Sequence, residues 1–198
     1  TTYEVKKLTR GGAKLVHFAK DKSVMNYIAN NIDAGTPFDI VIFQEQSTAI
    51  FYTEDRLASL SAFNYFGDEM KKFGFKGYVV STWPRRADSD FYKQPNYSNL
   101  TNVKTPVEMG DALITYYDEI QRRYGLQHIP LVRYWMKGLK NDDLNLYNSD
   151  GSHPSNIGSY LYAMAAYEAI TGRKPSYNLQ TPNDLTQSQK NELIELFN

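Results

Sequence analysis

The chain has 198 residues, enough for one domain over residues 1–198 with a single buried core. Its 22 basic and 22 acidic side chains balance, which excludes the strong field that draws a protein to nucleic acid or an anionic membrane. Cysteine is absent, so disulfides and thiolate metal sites are excluded, and no run reaches the roughly 20 apolar residues of a membrane span.

The chain opens Thr1-Thr2-Tyr3, without an initiator Met or a signal segment, and is read as part of a longer or processed product. Tyr3 to Thr9 is β-rich with partial alternation and predicts a strand, broken by Arg10-Gly11-Gly12. Asp21 to Asn31 predicts a helix with Ser23 as candidate N-cap and Met25, Ile28 and Ala29 on one side. After Pro37, the apolar run Asp39 to Phe43 predicts a strand buried on both faces, as in a parallel sheet. Asp55 to Phe73 predicts a second helix, with Phe63, Phe66, Met70 and Phe73 inward and Gly74 as its stop. Gly77 to Thr82 is another buried strand.

From Trp83 to Lys104 the composition turns to Pro, Asn, Ser, Asp and Tyr, which predicts a long surface loop of the kind that carries function. Asn96 and Asn99 in it head N-glycosylation sequons, which fit a secreted or lysosomal protein and also arise by chance in an Asn-rich chain. Val107 to Tyr124 predicts a helix with Met109, Leu113, Tyr116, Ile120 and Tyr124 inward, and Ile129 to Val132 a last short strand. Asn141 to Pro154 reads as polar loop. Ser155 then caps a helix from Asn156 to about Thr171, with Ile157, Tyr160, Leu161, Met164 and Tyr167 inward and Gly172 as its stop; a short helix closes the chain at Thr186 to Phe197. Strand and helix alternate throughout, which predicts an α/β fold in three layers with a parallel sheet. Ligands in such folds bind at the carboxyl ends of the strands.

Of the three histidines, His128 reads as a surface or packing residue and His17 as structural. His153 differs because Asp150 lies three residues before it, in Asp-Gly-Ser-His-Pro-Ser. A carboxylate on one imidazole nitrogen fixes the tautomer and leaves the other nitrogen free to accept a proton. Asp-x-x-His alone is a weak motif, and its place after the last strand strengthens it. The histidines are scattered and no carboxylate cluster has ligand spacing, so no metal and no other cofactor is expected.

With Leu8 to Leu15 (LTRGGAKL), Phe38 to Ser47 (FDIVIFQEQS), Val80 to Trp83 (VSTW) and Leu146 to Leu161 (LYNSDGSHPSNIGSYL), the chain resembles the SGNH (GDSL-type) hydrolases from about residue 4 to Pro175. The resemblance implies a flavodoxin-like fold and a two-step ester hydrolysis in which His153 is general base and then acid, oriented by Asp150. It places Gly12 or Gly11 in the oxyanion hole, where a turn needing positive φ is the other reading of the same glycines. Gln44 stands where the family usually has Asn, and Gln46 is a substitute; a bond to loop backbone is the other reading of either side chain. The family's first block, a central strand ending in Gly-Asp-Ser or Gly-Asn-Ser, has no match in the chain. The serine is therefore expected from an upstream segment of the same product or from a second chain, and this chain alone is expected to be inert. Without that strand, apolar edges on Tyr3–Thr9 and Asp39–Phe43 would lie open.

The substrate expected from the family is an acetylated carbohydrate or similar ester, with Trp83, Tyr92, Tyr97 and Trp135 as aromatic surface and Trp83 either a substrate wall or a packing residue. A non-catalytic carbohydrate-binding module derived from such a hydrolase is the alternative, against which the intact Asp150–His153 pair argues. A nucleotide-binding flavodoxin-like protein lacks support, since no Gly-x-Gly-x-x-Gly or P-loop run occurs.

Overall fold

The computed structural model describes residues 3–94 and 103–198. In chain order these form α1 (Leu15–Ala19), α2 (Lys22–Asp33), β1 (Ile40–Gln44), α3 (Thr53–Phe73), β2 (Lys76–Val80), α4 (Pro106–Tyr124), β3 (Gln127–Ile129), α5 (Leu131–Gly138), α6 (Asn156–Thr171) and α7 (Gln187–Glu195). The strands pair in parallel in the order β1-β2-β3, with Ile42 beside Tyr78 and Tyr78 beside Gln127. Parallel neighbours require crossovers, and α3 and α4 supply them.

Side chains alternate across β2 and divide the core. Val79 enters one half with Phe43, Phe63, Phe66, Leu113 and Ile120, beneath α1 to α4. Tyr78 and Val80 enter the other with Trp135, Leu161, Met164 and Leu193, beneath α5 to α7. The sheet thus lies between two helical layers, the α/β/α arrangement expected. Helix ends follow local chemistry. Thr105, Ser155 and Thr186 each accept a backbone N–H as N-caps, and Gly74, Gly125 and Gly172 close α3, α4 and α6 in the left-handed conformation. The cap of α2 is Asp21 rather than Ser23; its carboxylate accepts from both the N–H and the hydroxyl of Ser23.

Four expectations need correction. Tyr3–Thr9 forms no strand: it is exposed and joins no sheet among the described residues, because alternation yields a strand only where a neighbour takes its hydrogen bonds. β1 is not buried on both faces; it is a sheet edge, with Ile42 40% exposed. The last strand ends at Ile129, and the apolar run continues as α5, since Pro130 has no N–H for a ladder and stands well at a helix start. The Trp83–Lys104 region is not all surface loop: a 3-10 turn at Asp90–Lys93 buries Phe91 and Tyr92. Tyr97 and the sequons at Asn96 and Asn99 lie outside the described residues.

Candidate active site

Asp150 and His153 sit on the loop between α5 and α6, which closes on itself. Tyr147 bridges Pro154, Asn148 N donates to His153 O at 2.9 Å, and Ser155 N donates to Leu146 O at 2.9 Å. Gly151 takes φ +64° at the tip, where a Cβ would stand 3.1 Å from Arg86 Cβ, so both turn and neighbour favour glycine. Within this frame Asp150 Oδ1 accepts from Ser152 N at 2.8 Å and His153 N at 2.9 Å, and Oδ2 lies 2.6 Å from His153 Nδ1. The bond to the His153 ring, then those to the two backbone N–H groups, hold the Asp150 carboxyl far below the usual carboxylate range. An ionised carboxylate only accepts, so Nδ1 carries a proton, and in the neutral ring Nε2 keeps its lone pair. The His153 side chain is 74% exposed, and no group among the described residues bonds to Nε2. This is the geometry of a general base that has one orienting partner and an open reacting side.

The segment after β2 clamps this loop. Arg86 N donates to Gly151 O at 2.9 Å, and its guanidinium reaches Asn148 O at 3.3 Å and Ser149 O at 3.1 Å while paired with Asp88. Trp83 Nε1 donates to Ser152 O at 2.9 Å, and Tyr147 OH to Pro84 O at 2.9 Å. Trp83 is only 8% exposed and stacks on Trp135 at 4.7 Å between centroids. Trp135 is wholly buried on α5, and Tyr92 is buried with its hydroxyl on Arg85 O. The aromatic surface expected of Trp83, Tyr92 and Trp135 is therefore largely packed inside, because Trp135 belongs to a helix and Tyr92 to a buried turn.

The glycine and glutamine candidates form a second group at the same end of the sheet. Gly11 and Gly12 are exposed, and Gly12 takes φ +66°, as the turn reading requires. Gln44 is exposed at the end of β1, with no side-chain hydrogen bond among the described residues. The Gln46 side-chain carbonyl accepts from Thr48 N at 2.8 Å and Thr48 Oγ1 at 2.9 Å, so it stabilises its own loop. Glu45, between them and buried, ties the glycine turn to β1: its Oε1 accepts from Leu15 N at 2.9 Å and Gln46 N at 2.7 Å. No hydrogen bond among the described residues joins this group to the Asp150–His153 loop. Glu45 and Arg86 were missed from sequence; an acid directly after an apolar strand was the available signal for Glu45, and Arg86 had none.

His17 accepts from Lys14 N at 3.2 Å and helps start α1. His128 lies in β3 with its ring 6% exposed and 3.7 Å from Asp118, and burial pushes its pKa down to about 4. Among the described residues no group of three or more His, Asp or Glu is placed to hold a metal ion, and no helix is long and apolar enough to cross a membrane.

No family model and no curated protein matches the chain. Two solved structures share its architecture. One is a candidate SGNH hydrolase from Slackia heliotrinireducens, with TM-score 0.65 and 23% identity over 81% of this chain and 81% of that one. The other is a DUF4886 family protein from Bacteroides uniformis, with TM-score 0.72 and 15% identity over 94% of this chain and 78% of that one. Likeness at these identities is one of fold alone: this chain shares the α/β fold of these two structures.

Proposed function

We propose that this chain is the base-bearing part of a serine carboxylic-ester hydrolase that deacetylates a carbohydrate or similar small ester. The observation that carries the reading is the 2.6 Å contact of His153 Nδ1 with an Asp150 carboxylate that two backbone N–H groups already hold in place. In the reaction a serine oxygen bonds to the ester carbon while its proton passes to His153 Nε2, and Asp150 steadies the imidazolium. The bond to the alcohol breaks as His153 returns that proton to it; water, deprotonated by the same nitrogen, then frees the acid and restores the serine. Gly11, Gly12 and Gln44 are the proposed oxyanion donors; such a donor typically contributes about 3 kcal/mol.

No serine hydroxyl bonds to His153 among the described residues, so the nucleophile is assigned to a further strand of the same gene product, joined or cleaved, added to the free edge of β1. Supporting this, β1 pairs on one side only among the described residues, Ile42 is exposed there, and residues 3–9 are exposed and join no strand. The test is a fluorophosphonate probe on the protein in its native form, with intact mass to reveal a companion segment. Labelling of one serine, lost in His153→Ala, is the expected result. A native protein that takes up no label is instead a carbohydrate-binding module built on a hydrolase fold.

A further inference from the structure

Arg85 lies between Trp83 and Arg86, the two residues that hold the Asp150–His153 loop. Its backbone is fixed, since Tyr92 OH donates to its carbonyl at 2.7 Å and its N–H faces Met109 Sδ at 3.3 Å. Its side chain is half-buried, yet makes no hydrogen bond or ion pair among the described residues. The contrast with the other arginines is informative. Arg10, Arg56, Arg86, Arg123 and Arg133 each face a carboxylate, and Arg122 and Arg173 are exposed to water. Arg85 alone among the described arginines is partly buried with no carboxylate paired to it. Burial opposes its charge, and the groups that act on it electrostatically are the Asp150 carboxylate and then the Tyr92 and Tyr147 phenols. Asp150 is committed elsewhere, with Oδ2 on the His153 ring and Oδ1 on two backbone N–H groups.

A guanidinium stays charged, and its five N–H donors seek an acceptor when water is limited. Its planar fork suits a carboxylate, sulfate or phosphate. We infer that Arg85 is the anion-recognition residue of the substrate site and selects esters that carry a carboxylate, sulfate or phosphate near the scissile bond. The inference rests on the hydrolase reading for that bond; anion binding at Arg85 does not.

The test compares monoacetates of methyl glucuronide and methyl glucoside, which differ by a carboxylate, on the complete protein. The ratio of kcat/KM for the charged over the neutral ester should fall about tenfold to a hundredfold in Arg85→Gln, the range of a charge-assisted hydrogen bond. Arg85→Lys should restore part of it, and the exposed-site control Arg122→Gln should leave it unchanged. The 6-sulfate and 6-phosphate of acetylated methyl glucoside tell the three anions apart. A ratio equal in wild type and Arg85→Gln overturns the inference, as does an equal loss on both esters. If Arg85→Gln does not fold, Arg85→Lys and competition of inorganic sulfate against the charged ester in wild type carry the test; absence of competition together with an unaltered ratio in Arg85→Lys overturns it. Binding of unacetylated methyl glucuronide, read by saturation-transfer NMR, separates the two readings. Arg85-dependent binding without any serine label sinks the hydrolase and keeps the anion site. A labelled serine with no preference for the charged sugar does the reverse.

Discussion

The indole Nε1 of Trp83 donates to the carbonyl oxygen of Ser152 across 2.9 Å, joining the end of β2 to the residue just before His153. The ring is otherwise spent on its stack with Trp135, so the hydrogen bond is its main link to the site. Trp83→Phe keeps most of the stack and removes the donor. The expected result is a kcat lowered by several-fold with KM little changed, and a stability loss of about 1 kcal/mol in urea unfolding. A change in KM alone would instead mark Trp83 as a substrate wall. Trp83→Ala also opens a cavity and should cost about 3–5 kcal/mol.

Asp150→Asn tests the base pair through its tautomer. The amide oxygen can still accept from Ser152 and His153 N–H, but its NH2 then faces His153 Nδ1 and forces that nitrogen to accept. The proton moves to Nε2, which no longer takes one from serine. In the Ser-His-Asp template this substitution costs about 10⁴ in kcat; the exposure of this pair makes a loss of about 10²–10⁴ the expectation. Steady-state hydrolysis and the rate of fluorophosphonate labelling should fall together.

The Asp150–His153 contact was legible because it spans three residues of one loop, and Ser155 with Gly172 bounds α6 by purely local rules. The sheet was legible in the apolar runs ending at Phe43 and Val80. What failed was non-local. Tyr3–Thr9 alternates as a strand does, but alternation cannot supply a neighbour. Ile129-Pro-Leu-Val132 reads as one apolar run, and only the chain's turn at Pro130 divides it between β3 and α5. The clamp residues Arg86 and Trp83 meet the base loop across 62 and 69 residues of sequence, a separation at which periodicity and capping carry no information.

Gly158 gives a test of how the base loop is seated. It lies in the first turn of α6, where a Cβ would approach Leu146 O at 2.3 Å and Trp135 Cη2 at 2.7 Å. Neither yields easily, since Leu146 O also accepts Ser155 N and Trp135 is packed on all sides. Gly158→Ala gains helix propensity of roughly 1 kcal/mol but overpacks the contact, which typically costs about 1–3 kcal/mol or more. Net destabilisation is expected in chemical denaturation, with activity falling as α6 and the Pro154 bridge shift. Ser159→Ala, one residue on and exposed, should leave both near wild type.

His128 makes stability depend on pH in a definite direction. Its ring is buried against Tyr117, and its pKa falls from 6.5 to about 4, chiefly by desolvation; Asp118 raises it and Arg133 lowers it by smaller amounts. Above pH 6.5 the ring is neutral in both folded and unfolded chains and costs nothing. As pH drops below that value the unfolded chain takes up a proton that the folded chain refuses until about pH 4. Stability is therefore lost across that window, by up to about 3 kcal/mol, and the loss levels off below it. His128→Phe keeps an aromatic ring beside Tyr117 and removes the titration. Urea unfolding from pH 7.5 to 4 should show a shallower decline for His128→Phe than for wild type. Parallel declines would assign the acid sensitivity to the carboxylates alone.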